Sequence, residues 1–401
     1  KGNDKYWLWS HSSSYVVDAA GNDSYDLLNA VMDDPQAKLS IADYKGNDKF
    51  SIKNSSNTQI VDGSGADKYE ILNGSNAVSL KDYSGNDKYT LNDSNYVEIS
   101  DTKGSDSYKL IGTETNKVMN TTISDEFGND KYVLEHINPE RKGEDNNKSS
   151  ILDQNGNDSY SLKETWDLDV IDELGNDKYT LTGGNINLEI DDYSGKDSYI
   201  SKGTTNFCCA YIVDNGADTD IYNLNGFNTG YISDEGGNNK YTVSSSVDLD
   251  INSYGYGNDT YNIKNIEYFS IEDAFGNDKY TITTSLSGDI IDSQGTDKYT
   301  VKGVYDKKTK ETTYVKNIAI EDRSIENDTY YFDKVYGVPE VNTISDEGGS
   351  DKYSIKDTMY VSIKDNNGND KYSFNGEIIN TKIDDLSGID IYSNNSNNIF
   401  Y

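Results

Sequence analysis

This chain of 401 residues has two cysteines, three prolines, two histidines and two arginines. Cys208 and Cys209 are adjacent, and neighbouring cysteines rarely bridge each other, so a dense disulfide framework is excluded. A free thiol and an intermolecular bond stay open for both. His11 and His136 lie 125 residues apart, with no zinc or triad spacing around either, which argues against histidine catalysis. No apolar run reaches transmembrane length, no signal peptide is visible, and no stretch keeps a helical period. Positive charge is also short. Net charge is −34 with a pI near 4.2, which argues against nucleic acid and anionic membrane as partners.

What is present is a repeat. Gly-Asn-Asp-Lys-Tyr or a near variant returns nineteen times, and most copies are 19 to 20 residues apart. Such a period marks a stack of one-coil units, none of which buries its apolar face alone. Two residues after the anchor Asp stands Tyr in eighteen copies and Phe50 in the other. Four residues after it the side chain is apolar, except at Ser201 and Asn394, and polar residues lie between. This alternation predicts a short half-buried strand. Ile, Val or Leu two residues before an upstream Asp (Ile41, Ile60, Leu80, Ile99) marks a second strand. The fold class is therefore all-β, a parallel β-solenoid of about 19 coils.

Two aspartates frame one turn of each coil. They stand five residues apart in fifteen of seventeen coils, the exceptions being Asp214 to Asp220 and Asp322 to Asp328 with six. Elsewhere the coil length varies freely, so something fixes the Asp-x-x-Gly-x-Asp turn. Gly before the Asn-Asp pair is expected for a backbone position with positive φ, which Asn also tolerates.

The candidate metal ligands are these aspartates. The first ladder holds Asp18, Asp43, Asp62, Asp82, Asp101, Asp125, Asp153, Asp172, Asp192, Asp214, Asp234, Asp273, Asp292, Asp322, Asp346, Asp365 and Asp385. The second holds Asp23, Asp48, Asp67, Asp87, Asp106, Asp130, Asp158, Asp177, Asp197, Asp220, Asp259, Asp278, Asp297, Asp328, Asp351, Asp370 and Asp390, after a first copy at Asp4. Together they are 35 of the chain's 70 acids. Coils stack about 4.8 Å apart. Carboxylates at that spacing repel by roughly 1 kcal/mol in water and about 3 to 4 kcal/mol at an effective dielectric of 20. Summed over two ladders, the repulsion matches the stability of a whole domain. Lys follows the anchor in eleven copies and leaves most of this charge unbalanced, and the alternation points it outward. A hard divalent cation with oxygen ligands fits better, and calcium suits a flexible cage of carboxylates and carbonyls.

Gly-Asn-Asp-x-Tyr-x-Leu resembles the second half of the repeats-in-toxin (RTX) nonapeptide, Gly-Gly-x-Gly-x-Asp-x-apolar-x. Ile232–Tyr241 and Ile344–Tyr353 are similar to forms found in serralysin-type protease tails. The resemblance covers essentially the whole chain. It implies a parallel β-roll with stacked calcium ions held between successive turns by Asp carboxylates and loop carbonyls, roles that would fall to Asp23, Asp48, Asp67 and their equivalents. The chain departs from the pattern in three ways: Asp replaces the first glycine, there is one such turn per coil, and Tyr stands where the family has Leu. Asn239, and Ser253 where a first-ladder Asp is due, predict weak or empty sites at that level of the stack.

Residues 1–401 read as one elongated domain on the order of 90 Å long, a segment of a longer repetitive protein. Low hydrophobicity and large net charge approach the composition of a disordered chain, so folding is expected to depend on calcium. The expected role is a non-enzymatic, secreted or cell-surface structural element: a stalk, adhesin, surface-layer or filament segment. A secretion-and-folding tail of an enzyme or toxin is the alternative. A β-helix polysaccharide enzyme is less favoured, because such a site would be one irregular patch and these carboxylates are spread evenly. Insertions at 29–39, 135–150, 203–211 and 303–317 are the expected places for specific contacts with a cell-surface or glycan partner. Open terminal coils offer head-to-tail self-stacking.

Overall fold

A computed structural model describes residues 2–9, 13–31, 37–113, 117–138, 148–202, 209–339 and 343–396. The described chain is all-β, with no helix, and winds through about 18 parallel turns. Nineteen anchors bound eighteen intervals, which accounts for the difference from the coil count expected. His11, Arg141, Cys208 and parts of the insertions at 29–39, 135–150 and 203–211 lie outside the described residues. The chain divides into two compact units, Lys1–Ser198 with Ala210–Ile212, and Tyr199–Cys209 with Val213–Tyr401.

In the first unit the strand after each anchor pairs in register with its copy in the next coil. Tyr25 lies opposite Phe50, Phe50 opposite Tyr69, and Tyr69 opposite Tyr89. The aromatic rings stack face to face, with centroids 4.7–4.9 Å apart and planes within 9°. Alternation sends Tyr89 and Leu91 inward and leaves Lys88 exposed. The second arm builds its own ladder, with Ile41 opposite Ile60 and Leu80 opposite Ile99. Each fully buried side chain of this kind contributes about 1.5–3 kcal/mol.

The second unit repeats the scheme, Tyr222 pairing with Tyr241, Tyr241 with Tyr261 and Tyr261 with Tyr280. Its insertion at 303–317 is an antiparallel hairpin, Val304–Tyr305 against Thr312–Thr313, with an exposed Asp306–Lys310 tip.

The two corners of a coil differ from what residue type alone implies. Left-handed φ falls on the corner opposite the aspartates, at Asn54 (45°), Asn73 (58°) and Asp93 (49°). At the aspartate corner the glycine is needed chiefly for another reason. A Cβ on Gly65 would sit 1.6 Å from the Gly46 carbonyl oxygen of the preceding coil. The expectation of positive φ is thus corrected for most coils: close backbone stacking demands the glycine, as at Gly21, Gly46 and Gly65, none of which has left-handed φ.

Candidate metal centre

The aspartate corner draws both carboxylates inward because each strand reaches it with the anchor Asp on the same side as Tyr and Leu. All the proposed ligands are buried except Asp385 and Asp390, which are half-buried, and Asp4 of the first copy, which is exposed. Successive coils bring them into triads, such as Asp48 with Asp62 and Asp67, and Asp67 with Asp82 and Asp87. In each triad one oxygen per residue lies within 4.8 Å of the others.

The two ladders, alike in the sequence, do different work. First-ladder carboxylates accept hydrogen bonds from the tyrosine stack. The Tyr69 hydroxyl has two acceptors within reach of its one proton, Oδ2 of Asp82 (2.7 Å) and Oδ2 of Asp62 (3.0 Å), and Tyr25 donates to Asp43 (2.7 Å). Their Oδ1 atoms commonly accept a backbone N–H within the turn, as from Gly63 to Asp62 and Gly216 to Asp214. The near-invariance of Tyr, where a β-roll core would accept Leu, was the available signal for this pairing; periodicity alone does not reveal it.

Second-ladder carboxylates bind backbone on one side only. The N–H of Asp48 donates to Oδ1 of Asp67 (2.5 Å), that of Asp67 to Asp87 (2.6 Å), and that of Asp87 to Asp106 (2.5 Å). The other oxygen, Oδ2, is buried without a hydrogen-bond partner at eight consecutive ladder positions: Asp23, Asp48, Asp67, Asp87, Asp106, Asp130, Asp158 and Asp177. It is equally bare at Asp278, Asp297, Asp351 and Asp370. Bare Oδ1 atoms of Asp125, Asp172, Asp273 and Asp292 give four of these turns an unpaired oxygen from both ladders. Buried polar atoms are nearly always paired, so a repeated orphan of one kind marks a missing partner.

Electrostatics agree. Burial, with neighbouring carboxylates adding to it, pushes Asp67 and Asp87 up to about 8, Asp106 to about 9 and Asp177 to about 10. Backbone N–H bonds oppose the shift without cancelling it. The lysines do not relieve this charge: Lys49 and Lys68 point outward and pair with Glu70, at 3.5 and 2.5 Å. His136 sits at the other corner, its Nε2 2.5 Å from a Glu164 carboxylate oxygen.

An oxygen-only donor set of buried carboxylates fits a hard divalent cation and excludes the thiolate and imidazole chemistry that selects softer metals. Compared with known proteins, the chain matches no family model, no curated protein and no solved structure.

Proposed function

We propose that this protein is a calcium-binding structural β-solenoid, secreted or displayed at a cell surface, that completes its fold as ions enter the aspartate turns. One observation carries the reading: the unbroken run of buried, half-paired carboxylates from Asp23 to Asp177. Each such group, left ionised without a partner, costs on the order of several kcal/mol. A cation shared by the triad oxygens turns that cost into folding free energy. The recurrence of the aspartate pair along the chain, in place of one irregular patch, supports a non-enzymatic role. A chain of net charge −34 that folds only with calcium suits transit through low-calcium cytosol and folding outside.

The test is far-UV circular dichroism of chelator-stripped protein through a calcium titration, with magnesium as control and calorimetry to count ions. A coil-to-β transition specific to calcium, with several ions per chain, is expected. An unchanged β signal in chelator, with no calcium bound, would overturn the proposal.

A further inference from the structure

The bare oxygens are not spread evenly between the units, and the exceptions share one chemistry. Asn239 replaces a second-ladder Asp. Its N–H donates to Asp259 Oδ1 (2.6 Å) and its Oδ1 accepts from Asp220 (2.8 Å), as an Asp would do. Its Nδ2 takes the place of the bare oxygen and donates to the Gly236 carbonyl at 2.7 Å. One coil on, Ser253 stands in register between Asp234 and Asp273, in the first-ladder position. The Ser253 hydroxyl donates to Asp259 Oδ2 at 2.9 Å. A third case lies further along. Ser324 donates to Asp328 Oδ2 at 3.1 Å, inside one of the two turns with six-residue spacing.

In each case a neutral donor of the protein reaches the spot where coils such as those of Asp67, Asp87 and Asp278 leave an acceptor bare. An amide or hydroxyl hydrogen and a cation answer the same electrostatic need, so where the first is built in, the second has less to gain.

We propose that the cation array of the second unit is interrupted at Asn239, Asp259 and Asp328, where the protein's own donors stand in for the ion. Ion-binding turns remain there in pairs, at Asp278 with Asp297 and at Asp351 with Asp370. The first unit keeps its run from Asp23 to Asp177 unbroken. This inference rests on the calcium reading and adds a block structure to it: short, independent sets of sites in one unit and a long coupled set in the other. Calcium uptake then has two phases, a cooperative one and a weaker, less cooperative one.

The experiment counts calcium on the full chain by equilibrium dialysis and elemental analysis, with circular dichroism to confirm folding. The double variant Asn239→Asp with Ser253→Asp restores the acidic pattern and is expected to bind about one more ion per restored turn. Ser324→Ala bares Asp328 and is expected to add about one, serving as the second arm should the double variant fail to fold. Asp67→Asn, which copies the Asn239 solution in the first unit, is expected to lose ions. If Asp67→Asn loses calcium while neither second-unit variant gains any, the interruption is wrong and the calcium reading stands. If the parent chain binds no calcium, both fall, and an infrared band of protonated carboxylic acid would identify protons as the partners of the bare oxygens.

Discussion

The two units are built on one repeat, yet they solve the same charge problem differently. In the first, eight successive carboxylates keep an unpaired buried oxygen. In the second, an amide and two hydroxyls fill three such places. The difference lies in a few side chains at one corner, while the Tyr stack, strand register and backbone stacking are common to both. A solenoid can therefore change how its second-ladder carboxylates are paired coil by coil while the Tyr stack and its hydrogen bonds to the first ladder stay in place.

Chelation is the sharpest way to expose this contrast. In hydrogen exchange without calcium, first-unit strands such as Lys88–Asp101 are expected to lose nearly all protection. Strands flanking the self-satisfied corner, Lys240–Ser244 and Thr260–Lys264, are expected to retain more. Equal loss in both would erase the comparison.

Gly65→Ala comes next, with an expected cost above about 3 kcal/mol in denaturant unfolding, because the new Cβ strikes the Gly46 carbonyl. Most turns of the second unit share the constraint, as at Gly257, Gly276 and Gly295, and two meet it differently: Asp218 and Glu326 stand at the glycine position, both in the turns with six-residue spacing. An Ala variant as stable as the parent would show that the corner relaxes easily in the first unit too.

Acid should partly substitute for calcium. Asp67 and Asp87 titrate near 8 in the fold and near 3.8 when unfolded. A folded value above the unfolded one means the stability is fully present below about pH 4 and is lost as pH rises through about 8. Thermal melts in chelator should therefore rise as pH falls across that window. A melting temperature that falls instead would reverse the assigned burial effect.

A smaller contrast separates phenols with sole and shared duties. Tyr69→Phe removes the only described phenol partner from Asp62 and from Asp82, and should cost about 1–3 kcal/mol with calcium present. Tyr280→Phe leaves Asp273 with Tyr261 and Asp292 with Tyr299, and should cost less than about 1 kcal/mol. Matching losses in urea unfolding would mean that the second phenol contributes nothing. Smallest of all, Glu70→Gln at the exposed Lys49 and Lys68 pair should shift stability by under about 0.5 kcal/mol, read by the same unfolding curves.

Much of this was legible in the chain itself. Period and alternation determine the parallel solenoid, since only stacked coils bury Tyr and Ile at a fixed repeat, and constant Asp spacing singles out the corner that matters. The sequence also placed Lys outward, as Lys49 and Lys68 are. It could not divide the work between the ladders, because a carboxylate's partner depends on which atoms of the next coil reach it. It assigned the corner glycine to backbone freedom, whereas the approach of Gly46 to Gly65 makes bulk the deciding factor. And while Asn239 and Ser253 stood out as departures, Ser324 did not, for its meaning rests on a hydroxyl 3.1 Å from Asp328. Repetition along the chain determined the fold; the contacts between one coil and the next decided which carboxylates were left with an unpaired buried oxygen.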